Sequence, residues 1–212
     1  LMPVLPYYLR EMAHAPDSLV GVVLACYSVA CIVVRPFSGW MLDSFKRRPI
    51  YLIAYAAFML VFLGYAWTAS VLMIMLFRLL HGLSFGIGTV AGTTIVSYLV
   101  PKKRLGEGLG IYGLANIMSM AVGPMLGLWL HTFVDYQWLF VILSALVLLG
   151  LLFATAVPVH ETAVKERRRI SFTSLMLVPA LVPALALLFA AVPYGMTTTY
   201  ITLLADEYGL RA

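Results

Sequence analysis

Gly39-Trp40-Met41-Leu42-Asp43-Ser44-Phe45-Lys46-Arg47-Arg48 is the stretch on which the reading of this chain turns. It is a short charged loop between two long apolar runs. Three consecutive basic residues are ordinary there, because loops on the cytoplasmic side of membrane proteins collect Lys and Arg. The acid is not ordinary. Anchoring needs no carboxylate, so Asp43 points to a specific partner. Gly39, four residues earlier, lets another backbone come close.

The runs on either side of this loop set the class. Of 212 residues, 63% are hydrophobic and 11% charged, more apolar surface than a soluble domain needs. About 20 apolar residues cross a hydrocarbon core of about 30 Å. Six such runs are legible, at 19–42, 50–68, 71–100, 108–130, 138–157 and about 177–204. A seventh, Leu1–Leu9, is short. Counted to Glu11, its residues at about 1.5 Å each reach only about 16 Å, half a span. The expectation is a first helix cut on its N-terminal side, in a chain that is a fragment.

The net charge of +5 is not spread evenly. Lys46, Arg47 and Arg48, then Lys102, Lys103 and Arg104, then Lys165, Arg167, Arg168 and Arg169 account for ten of the fourteen basic residues. They fall in alternate loops. The intervening loops hold Arg10 with Glu11 and Asp17, then nothing charged around Thr68–Ser70, then Asp135 alone. This positive-inside pattern puts the three basic connections and the N-terminus in the cytoplasm. It argues for a bilayer as partner and against nucleic acid. Cys26 and Cys31, five apart on one helix, point to different sides and read as small hydrophobes, not a disulfide or a metal pair. The sequence has no Walker-type phosphate loop, no His-Glu-x-x-His and no Gly-x-Ser-x-Gly, so nothing points to ATP hydrolysis, zinc chemistry or another enzyme.

Residues 1–157 read as a transmembrane bundle. Residues 158–174 are polar and basic and read as a cytoplasmic linker. Residues 175–212 hold the next helix, which opens a second bundle; Pro179, Pro183 and Pro193 predict kinks or an interruption there.

The chemistry sits on the helices. Arg78-Leu79-Leu80-His81-Gly82-Leu83-Ser84-Phe85-Gly86 lies inside the fourth run. Counted from Val71, Arg78 is about 11 Å deep and His81 about 15 Å, close to the midplane. An intramembrane arginine costs at least about 2.5 kcal/mol, so it needs a partner, water or a function. Two readings stand. Arg78 pairs with a backbone carbonyl or another helix, or it lines a water-filled cavity on the face shared with Phe85, Thr89 and Thr93. His81 is a satisfied core histidine or lines that cavity. In the fifth run Tyr112, Asn116, Ser119 and Gly123 share a face, and Gly123-Pro124-Met125-Leu126-Gly127 follows. Pro124 cannot donate to the Met120 carbonyl, which predicts a bend. Gly82/Gly86 and Gly88/Gly92 are small-x-x-x-small packing surfaces. Arg35 either snorkels to the cytoplasmic face or pairs with Asp43. Tyr194, Thr197, Thr198 and Tyr200 face a substrate, or pack.

Gly39-x-x-x-Asp43 followed by Arg48, between the second and third runs, resembles the signature loop of the major facilitator superfamily of transporters. That family usually has Arg or Lys at the position of Ser44, Gly at Lys46 and a basic residue at Pro49. Arg78-x-x-His81-Gly82 resembles the family's fourth-helix motif, with His in place of the usual Gln. Residues 100–108 resemble its loop between the fourth and fifth helices. Gly123-Pro124-x-x-Gly127 resembles the fifth-helix motif of its antiporter branch, which includes drug and sugar exporters.

The resemblance implies an all-α integral membrane fold: a six-helix bundle with its first helix truncated, plus the first helix of a second bundle. It implies secondary active, proton-coupled export of a small organic molecule or drug by alternating access. Gly39, Asp43 and Arg48 would form a gating loop between bundles. Arg78, His81, Tyr112 and Asn116 would serve the cavity and proton coupling. Gly123, Pro124 and Gly127 would make the antiporter kink, and Tyr194, Thr197 and Thr198 would face substrate. No cofactor is expected; a proton gradient supplies the energy. The partners are the bilayer, a small-molecule substrate and the second bundle of the same protein. The expected location is a bacterial cytoplasmic membrane, with the N-terminus in the cytoplasm. The alternatives are proton-coupled or facilitated uptake on the same fold, and a non-transporting receptor or scaffold.

Overall fold

The computed structural model describes residues 4–11, 16–68, 70–159 and 178–193, and every regular element among them is helical. In the first unit, Leu1–Arg169, the helices are α1 (Val4–Glu11), α2 (Asp17–Ser44), α3 (Arg47–Ala66), α4 (Val71–Leu99), α5 (Leu105–His131) and α6 (Tyr136–Ala156). A single 3₁₀ turn, Lys102–Arg104, leads into α5. Five of these helices are long and apolar enough to cross a membrane. α1 has eight described residues. Large side chains such as Ile32, Ile53, Leu60, Leu72 and Phe153 are more than half exposed, as expected of helices whose outer faces meet lipid instead of water.

Helices suit these runs because every backbone hydrogen bond is closed within the segment. The hydroxyls on α4 are closed within it too. Ser84, Thr89, Thr93, Thr94 and Ser97 each donate to the carbonyl four residues back, which satisfies a polar side chain without a distant partner.

α4 is the centre of the bundle, packed on α2 and α3, while α3 also packs on α6. Glycines decide the α2–α4 crossing. A Cβ at Gly82 would strike the Tyr27 carbonyl and come within 2.9 Å of the Ala30 Cβ; one at Gly86 would meet Val34 and come within 3.1 Å of the Cys31 carbonyl. Both helices therefore approach backbone to backbone, and because the contacts advance together from Tyr27 to Val34 and from Gly82 to Gly86, they run parallel. Cys31 is buried in this crossing as a free thiol.

Specific bonds pin the helix ends. At the end remote from the basic loops, Tyr8 of α1 donates toward the Thr68 carbonyl, with the Tyr65 carbonyl 3.3 Å away. Tyr136 at the start of α6 donates to the Glu11 carboxylate at 2.6 Å. The main apolar core lies below these bonds, where Leu5 and Leu9 of α1 meet Phe62 and Tyr65 of α3, Ile74 of α4 and Phe140 of α6.

α5 is different. Gly127, where an added Cβ would sit 3.7 Å from Val4 of α1, is its one buried residue among those described. Pro124 lies within a continuous α5. In the second unit, Ile170–Ala212, a 3₁₀ turn at Val178–Ala180 precedes the helix Leu181–Pro193, here α7. Pro183 falls in the first turn of α7, where its missing N–H has no intrahelical partner to lose. The predicted linker beyond Val159, and Tyr194, Thr197 and Thr198, lie outside the described residues.

Candidate functional site

The candidate residues fall in three places. At the basic end, Asp43 sits exposed in the last turn of α2, and no hydrogen bond or ion pair reaches it among the described residues. Arg35, also exposed, has no contact with it. A carboxylate at a helix C-terminus opposes the macrodipole, at a cost of about 0.3–1 kcal/mol. The first turn of α3 is opposed in the same sense, since Arg47 and Arg48 stand at its positive end and no acid is there.

The two arginines have other work. Arg47 lies 3.8 Å over the ring of Tyr98 and donates to its hydroxyl at 3.0 Å, which ties the start of α3 to the end of α4. Arg48 donates to the Thr155 carbonyl, one of the acceptors that the end of α6 cannot satisfy internally. The charged loop thus staples three helix ends and leaves its acid outside the staple. Gly39 faces open space.

At mid-bundle, Arg78 and His81 are 1% and 5% exposed. The guanidinium lies 4.9 Å over the Tyr27 ring of α2. His81 is walled by Tyr27, Phe58 and Phe62 at centroid distances of 5.1, 4.6 and 5.1 Å. Its Nδ1 is 3.5 Å from the Tyr65 hydroxyl. An aromatic cage therefore encloses the cation and the imidazole, built by α2 and α3 against one turn of α4.

The third place is a cavity of about 280 Å³ between α3, α4 and α5, lined among others by Tyr51, Tyr55, Phe85, Thr89, Tyr112 and Asn116. A neighbouring cavity of about 310 Å³ continues toward the basic end, past Gly92 and Gly150 to Arg48 and Leu99. Arg78 and His81 line neither. They are separated from the first by Phe58 and Phe85, which belong to its wall and pack on each other and on the cage. Tyr112 reaches α4 by resting its hydroxyl on Gly92, where a Cβ would have no room. Asn116 is exposed on α5 and donates to the Tyr112 carbonyl at 3.2 Å. Gly123 faces open space, and Gly127 carries the contact with α1.

The sequence reading named the cation, the histidine and the polar face of α5, and missed what surrounds them. The signal was present. Tyr51, Tyr55, Phe58, Phe62 and Tyr65 recur at three- and four-residue spacing along α3, one helical face, and that face builds both the cage and the cavity wall.

A family model described as Major Facilitator Superfamily matches residues 1–212. The chain is 30% identical over 142 residues to a "Multidrug resistance protein B homolog" of Mycobacterium tuberculosis (strain CDC 1551 / Oshkosh), covering 65% of this chain and 26% of that protein. It is 33% identical over 129 residues to "Tetracycline resistance protein, class B" of Escherichia coli, covering 60% and 32%. It is 30% identical over 130 residues to the class H tetracycline resistance protein of Pasteurella multocida, again covering 60% and 32%. The chain spans about a quarter to a third of the length of these curated relatives.

Proposed function

The chain belongs to the Major Facilitator Superfamily, and from that premise we propose that the whole protein is a secondary active transporter that exports a small organic molecule, a drug among its substrates, in exchange for protons. The observation that carries this reading is Arg78, a cation buried within the apolar span of α4 near a cavity. A structural scaffold has no use for a charge at that depth, whereas a transporter does. The relatives named for multidrug and tetracycline resistance support the drug class.

The remaining parts take roles consistent with this. Alternating access rocks one bundle against another around a site at their interface. α1–α6 supply the first bundle, residues 158–174 the linker and α7 the opening of the second. The basic end faces the cytoplasm of a bacterial cell, by the charge pattern of the loops. Asp43, unfavourably placed for its own helix, caps a helix N-terminus of the second bundle, with Gly39 giving the approach its room. Arg48 holds α3 and α6 so that the loop keeps its shape. Tyr112 and Asn116 carry the polar face of α5 to the cavity, and Gly123, Pro124 and Gly127 set its course past α1.

The test is drug accumulation in cells that lack their own exporters and express the full-length protein. Tetracycline and a panel of amphipathic drugs serve as probes. Expression should lower accumulation of at least one of them, a protonophore should restore it, and Arg78→Leu at equal membrane abundance should behave as the empty vector. Accumulation unchanged for every drug, or an Arg78→Leu protein that still exports, would overturn the proposal.

A further inference from the structure

The cavity of about 310 Å³ near the basic end is a groove with two matching walls. On α4 the wall is Gly92, Ile95, Val96 and Leu99, the three- and four-residue spacing of one helical face. On α6 the same spacing recurs from Gly150 to Val157. Each wall therefore climbs about 10 Å at about 1.5 Å per residue, a third of a hydrocarbon core of about 30 Å. α4 and α6 both pack on α3. Tyr51 of α3 and Tyr112 of α5 mark the deep end, since both also line the neighbouring cavity. The rim is open: Phe153 is 68% and Leu99 44% exposed.

Neither wall carries a polar side chain, so water in the groove would find no partners along it. Left empty, the lining atoms would forfeit their contacts. The mouth is different. Arg48 lines it, and Lys46, Lys102 and Lys103 are exposed in the loops at the same end. Arg104 there is paired with Glu107 at 2.6 Å. The three lysines outnumber Asp43, the other acid exposed at that end among the described residues. An apolar groove parallel to the helices, with cations gathered at its membrane-surface end, matches a lipid in both halves. We propose that this groove is a specific site for an anionic phospholipid, with one acyl chain lying between α4 and α6 and the phosphate among the lysines at the mouth. A zwitterionic lipid could fill the groove as well, but would gain far less from the lysines. The chain supplies both walls with the contacts that α4 and α6 do not give each other there, and so braces the two helices at the end where Arg47 and Arg48 staple the bundle.

The experiment uses the full-length protein in nanodiscs of mixed lipid. The probes are phosphatidylglycerol and phosphatidylcholine, each with a photoreactive diazirine in one acyl chain. On irradiation the phosphatidylglycerol probe should attach within 92–99 of α4 and 150–157 of α6. It should do so about tenfold more than the phosphatidylcholine probe, because each lysine near the surface is worth a factor of about five for an anionic headgroup. Ala154→Phe from one wall and Val96→Phe from the other should each fill the groove and remove that attachment, while attachment at exposed Ile32 of α2 stays unchanged. Lys46→Gln, Lys102→Gln and Lys103→Gln together should bring the two probes level. The filling variants lie on different helices, so one that fails to fold leaves the other to decide, and the comparison of probes on the wild type needs no variant. Equal attachment of both probes in the wild type, attachment spread evenly over every exposed helix face, or attachment undiminished by both filling variants would overturn the site. So would loss of the attachment on adding tetracycline, which would make the groove a drug site instead.

Discussion

The α2–α4 crossing permits a prediction with opposite signs at two glycines. In Gly82→Ala the new Cβ comes within 2.9 Å of the Ala30 Cβ, and the Tyr27 carbonyl is closer still. Carbon atoms in contact sit about 3.5–4.0 Å apart, so the two helices must part by about 1 Å. Neither obstacle is the tip of a flexible side chain. A gap of that size forfeits a quarter to a half of the dispersion attraction across the crossing, and overpacking costs about 1–3 kcal/mol. Replacing a helical glycine by alanine returns about 0.5–1 kcal/mol, leaving a net loss of up to about 2.5 kcal/mol. Gly21, on the same α2, has nothing within 4 Å of its would-be Cβ, so Gly21→Ala should gain the propensity term alone. Gly82→Ala should melt lower than wild type and Gly21→Ala at or above it. Thermal unfolding of the purified full-length protein in detergent reads this directly. Reaction of Cys31 with a thiol-reactive dye gives a second readout, because Cys31 is buried in the same crossing and should react faster when it loosens. If Gly82→Ala and Gly21→Ala melt together, or Cys31 stays equally protected in both, the backbone-to-backbone contact does not set this interface.

Other outcomes follow from other contacts. Asp43→Asn should slow transport by the full-length protein while membrane abundance stays at the wild-type level, because its carboxylate makes no bond among the described residues; wild-type rates at equal abundance would refute a gating role. Gly92→Val should push the Tyr112 hydroxyl off α4, and α5, so little buried otherwise, should separate from it; a cysteine pair placed across α4 and α5 should then cross-link less efficiently, and unchanged cross-linking would show that Tyr112 is not the tie. Tyr98→Ala removes both the ring under Arg47 and its hydroxyl acceptor, and should increase proteolysis at the loop between α2 and α3, whereas Tyr98→Phe, which keeps the ring, should fall between.

Much of this was legible in the sequence, for a physical reason. In a bilayer the backbone must close its own hydrogen bonds, so a long apolar run can only be a helix, and the all-α membrane class follows. Gly82 and Gly86 announced a close approach by their spacing, although not that Tyr27 to Val34 would be the surface approached. Periodicity gives the faces of one helix and leaves open which neighbour each face meets. That is why Arg78 and His81 could be placed in depth but not in company. Their enclosure depends on α3 turning Tyr65, Phe58 and Phe62 toward His81 and on α2 turning Tyr27 toward both. Likewise the basic cluster at 46–48 was readable as an anchor, while the bonds from Arg47 to Tyr98 and from Arg48 to the Thr155 carbonyl join positions far apart in sequence, and nothing local signals them.

We propose that drug movement and proton movement are coupled through the bundle that holds Arg78. The most direct measurement is proton flux in everted membrane vesicles containing the full-length protein, energised to an acidic interior and followed with a pH-sensitive dye. Adding a transported drug should release lumenal protons from wild-type vesicles, with a rate that saturates in drug concentration, and Arg78→Leu vesicles with the same amount of protein should release none. Drug uptake into the wild-type vesicles without proton release, or drug-dependent proton release undiminished in Arg78→Leu, would rule out coupling through Arg78.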